Sequence, residues 1–265
     1  MFKYEFMRTA FLVGGLLAVI IPLIGVVVVF KRMSMIGDAL SHVSLSGITI
    51  GLILGFNPIV GAIALSLVAA LSIEFIQKKF GKYQELAIAI IMSFGIGLSG
   101  VLLGFVKNPA NFNSFLFGSI VAIGDSDNLL AILLSLVVIG VSIRYYREFF
   151  YLAFDEKSAF LSGIDTNRIS LIFTILTAIT VSIASRIVGA LIVSSLMVIP
   201  TACAIQVSKS YRSTMLYAIV FSLTFVWLGL ALSYTLNLAP GGTIVLLGVG
   251  VLVLLIIIKA VLKRG

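Results

Sequence analysis

Long runs without charged residues dominate the pattern of apolar and polar positions along this chain. A helix needs about 20 apolar residues to cross the hydrocarbon core of a bilayer, so each run of roughly that length predicts one membrane-spanning helix. Runs that fit a single helix cover residues 9–30, 86–106, 128–143, 169–185 and 187–208.

Two longer stretches are each long enough for two helices. Residues 33–73 contain Asn57-Pro58, and residues 213–258 contain the uncharged sequence NLAPGG at 237–242. Proline and glycine at these places break helices, so they predict where each stretch divides. The pattern therefore predicts eight or nine transmembrane helices.

Composition places the chain among integral membrane proteins. Hydrophobic residues make up 61% of it and charged residues 11%, and the mean hydropathy is +1.24, well above that of water-soluble domains. Continuous apolar runs favour helices over an outer-membrane barrel, whose strands alternate apolar and polar residues. We expect an all-α, multi-pass protein of the cell membrane, with a single transmembrane domain over residues 1–265.

The net charge of +8 comes from short Lys and Arg clusters between the apolar runs. No aromatic stacking platform surrounds these clusters, so we do not expect nucleic acid as a partner. Basic loops are typical of the cytoplasmic side of a membrane protein. If nine segments alternate, five clusters lie on one side, which we assign to the cytoplasm: residues 31–32, 78–82, 144–147, 209–212 and 259–264.

Asp38 and His42 stand out because they lie within the apolar stretch 33–73. On a helix they are one turn apart on the same face, and Ser41, Ser46 and Thr49 extend the polar stripe. An ionised Asp facing lipid costs about 3 kcal/mol even on the mildest insertion scale, so this face is expected to point toward the protein interior or an ion path.

A carboxylate and an imidazole together favour a divalent transition metal, because both groups bind zinc and the oxygen also suits manganese. Two ligands bind weakly, which suits a transporter whose ion must also leave. The alternative is that Asp38 only joins neighbouring helices through hydrogen bonds. Ser194 and Ser195, close to the helix-kinking Pro200, are further candidates for lining the path.

Other polar groups give weaker signals. Glu74 and Lys78 are four residues apart near a helix end and predict an exposed ion pair. A single histidine excludes the HExxH zinc motif, and no GxSxG or P-loop sequence is present. We therefore expect no catalytic residues, and any ATP must bind to another chain.

Two predicted connections are unusual. Residues 108–127 are long and aromatic, which predicts a re-entrant or interfacial helix on the outer side. Residues 145–168 form the longest charged connection. Phe154, Ala159 and Phe160 lie among charged residues there, a pattern that predicts a short amphipathic cytoplasmic helix that docks on a soluble partner.

The segment FKRMSMIGDALSHVSLSGITIGLILG resembles the signature segment of permease subunits from bacterial high-affinity zinc and manganese uptake ABC transporters. The resemblance continues through FLFGSIVAIGDSD, FDEKSAFLSGID, RIVGALIVSSLMVIPTACA and NLAPGGTIVLL. It implies a homodimeric permease with two cytoplasmic ATPase subunits and an extracytoplasmic metal-binding protein.

The same resemblance implies roles for individual residues. Asp38 and His42 would line the ion path, and a segment over about residues 147–168 would couple to the ATPase through Asp155, Glu156, Ala159 and Gly163. Ser46 stands where many relatives have proline, so the local bend of those relatives is not expected.

Zinc is the predicted cargo, as a transported substrate and not as a permanently bound cofactor. Residues 111–114 lack the histidines that manganese members often carry, and Ile199 replaces their threonine before Pro200. Imidazole also favours zinc over manganese. The alternatives are a manganese or iron ABC permease, an ion-coupled carrier that needs no ATPase, and a structural membrane scaffold.

Overall fold

The structure is a computed structural model that describes residues 5–80, 83–106, 125–154, 156–190 and 192–262. Within these ranges the chain forms eleven helices and no strand. They are α1 (Glu5–Phe30), α2 (Ile36–Leu54), α3 (Pro58–Phe80), α4 (Gln84–Leu103), α5 (Asp125–Arg144), α6 (Tyr146–Phe154), α7 (Glu156–Leu161), α8 (Thr166–Ile187), α9 (Val193–Val207), α10 (Tyr211–Leu236) and α11 (Pro240–Leu262). The prediction of an all-α, polytopic membrane protein is confirmed.

Seven of the described helices are long and apolar enough to cross a membrane. An eighth span results if α5 and α6, which are bent by 73° relative to each other, count as one. The count of eight spans agrees with the lower end of the predicted range of eight or nine. The run 187–208 yields only the 15-residue helix α9, because Val188, Ala190 and Ile192 form a buried connection ahead of it.

Both predicted divisions of the long stretches are confirmed. Gly55 ends α2 with φ 75°, a left-handed conformation that glycine adopts without a Cβ clash. The side chain of Asn57 then accepts a hydrogen bond of 2.8 Å from the backbone N–H of Ile59, and Pro58 is the first residue of α3. Similarly, Asn237 ends α10 with φ 53°, and Pro240 begins α11.

Helix α2 packs against four other helices, α3, α4, α8 and α9, and we call it the central helix because it carries both Asp38 and His42. Gly47 of α2 and Gly61 of α3 place the two backbones in direct contact, since a Cβ on either glycine would overlap the other's carbonyl oxygen. Small residues allow this close approach between membrane helices. The central helix is therefore surrounded by protein along much of its length.

The basic clusters that the structure describes come together at one end of the bundle. Lys31, Arg32 and Lys78 line a single cavity there. The Lys78 ammonium donates a hydrogen bond of 3.2 Å to Asn167 at the start of α8. The Lys259 ammonium donates one of 3.0 Å to the backbone carbonyl of Gln206. We call this end the basic end.

The structure describes one of the two unusual connections well and the other hardly at all. Most of residues 108–127 lies outside the described residues, except that Asp125 begins α5. Residues 145–168 form two short helices, α6 and α7, where one was predicted. Helix α6 buries Phe149, Leu152 and Ala153 against the bundle.

Candidate metal site on the central helix

Asp38 and His42 lie one turn apart on α2, and both are half-buried. The helix continues through Ser46 to Leu54 as one element. The expected register of the two candidate ligands is therefore present, on a helix that is largely enclosed by its neighbours.

Asp38 is joined to α9. The Ser194 hydroxyl donates a hydrogen bond of 2.6 Å to Asp38 Oδ1. The contact depends on Gly37, because a Cβ at that position would lie 3.1 Å from Met197 Sδ and 3.2 Å from the Cα of Ser194. An ionised carboxylate can accept about four hydrogen bonds. Since Ser194 uses one of these positions, the half-buried Asp38 retains acceptor capacity for a cation.

The other polar positions of α2 form contacts inside the bundle. Ser41 is fully buried and accepts a hydrogen bond of 3.1 Å from the Ser185 hydroxyl of α8. Ser46 donates one of 2.9 Å to the backbone carbonyl of Gly95 on α4. Thr49 donates one of 2.8 Å to the Leu45 carbonyl of its own helix. The hydroxyls of Ser41 and Ser46 thus join α2 to neighbouring helices, as the hydrogen-bond alternative describes, whereas that of Thr49 is satisfied within α2.

Sequence reasoning missed Ser185 and Gly95. Gly95 brings the α4 backbone against α2 beside His42, since a Cβ there would lie 2.8 Å from the Val43 amide nitrogen. The available signals were slight: Ser182 and Ser185 are one turn apart in an apolar run, and Gly95 is one of several glycines on α4. Ser195 was singled out and is half-buried beside Ser194.

One copy of the chain supplies too few ligands for a stable metal site. Among the described residues, no group of three or more His, Cys, Asp or Glu side chains is placed to hold a metal ion. Cys203 is fully buried in the apolar core, where it packs as a small apolar side chain. Asp38 and His42 alone give one oxygen ligand and one nitrogen ligand per chain.

The predicted ion pair between Glu74 and Lys78 is present, with 3.4 Å between Lys78 Nζ and Glu74 Oε1. The prediction that both partners are exposed is wrong. The Lys78 side chain is 58% exposed, whereas that of Glu74 is only 13% exposed. Glu74 is drawn inward because α3 packs against α8 at this level, where Ser170 shares a cavity with it.

Three of the four predicted coupling residues, Glu156, Ala159 and Gly163, lie in or directly after α7, close to the basic end. Ala159 of α7 is buried, and Gly163 follows this helix with φ 82°. Glu156 begins α7, and Asp155 lies outside the described residues. Around them, Phe160 and Leu161 are 68% and 84% exposed, so α7 presents an apolar surface.

Known proteins resemble this chain along nearly its full length. A "Probable metal transport system membrane protein" of Treponema pallidum is 35% identical over 261 residues, which is 98% of each chain. The "Manganese transport system membrane protein MntC" of Listeria monocytogenes is 30% identical over 92% of this chain and 87% of its own. The "High-affinity zinc uptake system membrane protein ZnuB" of Haemophilus influenzae is 29% identical over 92% of this chain and 94% of its own.

The fold is also that of a solved structure. "PsaBC from Streptococcus pneumoniae in complex with Fab" superposes with a TM-score of 0.86 at 26% identity, covering 96% of this chain and 91% of that one. A family model described as the ABC 3 transport family matches residues 3–259. The chain therefore belongs to the ABC 3 transport family.

Proposed function

We propose that this chain is the membrane permease subunit of an ABC importer that moves Zn²⁺ into the cytoplasm. The observation that carries the proposal is the placement of Asp38 and His42, half-buried and one turn apart on the central helix. Ionisable residues inside membrane proteins usually mark ion pathways, because their desolvation is costly.

The relatives support a metal ion as cargo. The Treponema protein is named for metal transport, the Listeria protein for manganese and the Haemophilus protein for zinc. Identities to the manganese and zinc proteins are similar, so these names support a divalent metal of the first transition row.

Ligand chemistry favours zinc among these metals. In a homodimer, two copies of Asp38 and His42 facing each other would offer two oxygens and two nitrogens, the number that tetrahedral zinc takes. Imidazole also binds zinc more strongly than manganese. Manganese is the second candidate, favoured by the name of the Listeria relative.

The energy for transport would come from partner chains. The sequence contains no P-loop, so ATP would bind to separate ATPase subunits at the basic end, which we assign to the cytoplasm. The apolar surface of α7 supports this docking, since exposed apolar patches mark protein contacts. An extracytoplasmic metal-binding protein would deliver the ion to the opposite end.

Metal uptake by the permease with its ATPase in proteoliposomes tests the proposal. We expect ATP-dependent Zn²⁺ uptake that unlabelled Zn²⁺ inhibits at lower concentration than Mn²⁺ or Fe²⁺. The double variant Asp38→Asn/His42→Gln is expected to lose uptake while the complex with the ATPase still assembles. Glu85→Gln, on the exposed surface of α4, serves as the control.

Three outcomes would contradict the proposal. Normal uptake in the double variant would refute the site, and preferential uptake of Mn²⁺ would refute the zinc assignment. Metal movement down a gradient through the permease alone, without ATP, would instead favour an ion-coupled carrier.

A further inference from the structure

We propose that the cavity at the basic end binds the headgroup of an anionic phospholipid, and that Arg32 holds its phosphodiester. The cavity has a volume of about 280 Å³ and lies between the end of α1, the last turns of α3 and the end of α6. A water molecule takes about 30 Å³ in the liquid, so the cavity has room for a phosphodiester and a short polar substituent. This inference does not depend on which ion the protein transports.

The cavity lies at the level where lipid headgroups are found. The membrane spans of α1 and α3 cover Met7–Phe30 and Pro58–Phe80. Phe30, the last residue of the first span, lines the cavity together with the two cationic residues that follow it, and Lys78 lines it near the end of the second span. Both spans therefore leave the hydrocarbon core at this cavity. Basic pockets between membrane helices on the cytoplasmic side are typical binding sites for anionic headgroups.

The described lining carries more positive than negative charge. Its ionisable members are Lys31, Arg32, Lys78 and Glu74. Glu74 and Lys78 largely offset each other as an ion pair, with 3.4 Å between Lys78 Nζ and Glu74 Oε1. The Arg32 guanidinium, by contrast, has no hydrogen bond or ion pair with another described residue. A guanidinium can donate two parallel hydrogen bonds to a phosphate, so Arg32 supplies the uncompensated charge that attracts this anion.

The backbone at Arg32 is unusual for an arginine. Arg32 follows α1 with φ 60°, a left-handed conformation. Its N–H donates a hydrogen bond of 3.0 Å to the Val29 carbonyl, and the N–H of Met33 donates one of 2.9 Å to the Val28 carbonyl. These are the hydrogen bonds of a Schellman helix end, where glycine is the usual residue because a Cβ is unfavourable. Arginine thus places its guanidinium at the cavity against the local backbone preference, as residues at functional sites often do.

An exposed apolar face of α3 leads to the cavity, which favours a lipid over a soluble anion. Val68, Leu71 and Phe75 are exposed. They and Lys78 follow one another at intervals of three or four residues, so the four side chains share one face of the helix. This face suits contact with acyl chains, and it ends at Lys78, which lines the cavity. A phospholipid can therefore keep its acyl chains along α3 while its headgroup enters the cavity.

A bound headgroup would connect separate parts of the basic end. Helix α6 packs against α1 and α8, and its Leu152 and Phe154 line the cavity opposite Lys78 of α3. A phosphodiester held by Arg32 and Lys78 would join the connection after α1 to the end of α3 beside α6. Because a ligand that binds only the native state stabilises it, the lipid should stabilise the folded chain.

The first test measures which lipid the protein retains. The purified permease–ATPase complex is incubated in detergent with equal amounts of phosphatidylglycerol and phosphatidylcholine that carry the same acyl chains, and bound lipids are counted by native mass spectrometry. We expect at least fivefold more bound phosphatidylglycerol than phosphatidylcholine, a ratio that we call the lipid preference. A large excess of inorganic phosphate should not displace the bound phosphatidylglycerol, because phosphate lacks the acyl chains.

Variants separate lipid binding from folding. Arg32→Gly removes the guanidinium and relieves the left-handed backbone, so it should keep or raise the melting temperature without lipid, while the lipid preference falls below twofold. Arg32→Lys keeps a positive charge and should show an intermediate preference. Glu74→Gln removes the carboxylate of the described lining and should raise the preference at least twofold. Arg168→Gln, on the exposed first turn of α8 and outside the cavity, is the control and should behave like the wild type.

Three results would overturn the inference. Equal binding of the two lipids would show that the cavity does not recognise the charge of the headgroup. Displacement of phosphatidylglycerol by inorganic phosphate would assign the cavity to a free anion. An unchanged lipid preference in Arg32→Gly would show that the lipid binds elsewhere, and weaker assembly of this variant with the ATPase would then assign the cavity to an acidic segment of that subunit.

Discussion

Ser194 on α9 donates a hydrogen bond of 2.6 Å to Oδ1 of Asp38 on α2, although 156 residues separate them in the chain. Gly37 makes the contact possible by leaving space for Ser194 and Met197. The position of α9 thus determines how one oxygen of the candidate metal ligand is held, and a shift of α9 would change the ligand directly.

Replacing Ser194 tests this relationship. Groups that orient a metal ligand typically contribute ten- to hundredfold to affinity, so Ser194→Ala is expected to raise the half-saturating Zn²⁺ concentration for uptake about tenfold. Ser194→Thr keeps the hydroxyl and should recover most of the affinity. Ser93→Ala, on the exposed surface of α4, is the control. An unchanged half-saturating concentration in Ser194→Ala would show that the hydrogen bond serves packing alone.

Added metal should stabilise the folded protein. A ligand that binds only the native state contributes about 2.7 kcal/mol at a hundred times its dissociation constant. We therefore expect Zn²⁺ to raise the melting temperature of the purified permease–ATPase complex by several degrees, and to do so less in Asp38→Asn/His42→Gln. Thermal unfolding followed by intrinsic fluorescence measures the difference. Equal shifts of the melting temperature in both proteins would show that zinc binds at a site other than Asp38 and His42.

The close approach of α4 to α2 gives a prediction with a matched control on the same helix. A Cβ at Gly95 would lie 2.8 Å from the Val43 amide nitrogen, whereas a Cβ at Gly97 meets nothing within 4 Å. Forcing atoms into a packed interior costs about 1–3 kcal/mol. Gly95→Ala should therefore lower the melting temperature and the Zn²⁺ uptake rate, because it displaces the backbone beside His42.

Gly97→Ala should leave both quantities unchanged or raise the stability slightly, since alanine favours a helix. Equal melting temperatures for the two variants would mean that α4 is free to move away from α2 at little cost.

Much of the fold follows from local sequence. Apolar runs predict the spans, and Pro58 and Pro240 predict the helix starts, because these signals act within a few residues. Asp38 and His42 were identifiable because charge is rare inside apolar helices. The pairing of Ser41 with Ser185 was not predictable, since the two residues are 144 positions apart and only the tertiary packing of α2 on α8 joins them.

The shape of the connection after α5 also depends on tertiary packing that the local sequence does not show. Its residues predict an amphipathic segment, but the 73° bend between α5 and α6 arises because α6 buries Phe149 and Leu152 against the bundle. The burial of Glu74 was missed for a related reason, because spacing along one helix does not show which neighbouring helix covers it.

The apolar surface of α7 predicts an effect on assembly. Leu161 is 84% exposed at the basic end, whereas Leu238, 52% exposed, lies in the connection between α10 and α11. Truncating a hot-spot residue of an interface costs about 2 kcal/mol or more of binding, whereas most other interface residues cost less than about 1 kcal/mol. Leu161→Ser should weaken copurification with the ATPase at least fivefold and lower ATP-driven uptake in parallel, while Leu238→Ser should alter neither. Full assembly of the Leu161→Ser variant with the ATPase would show that the ATPase docks on a surface other than α7.

Gly47 and Gly61 bring the backbones of α2 and α3 into contact without intervening side chains, so these two helices have little freedom to slide past each other. Asp38 and His42 are both on α2. The candidate ligands therefore keep a nearly fixed position relative to α3. A change of access to Asp38 would then require α4, α8 and α9 to move against this pair of helices, since α2 has little freedom to move alone.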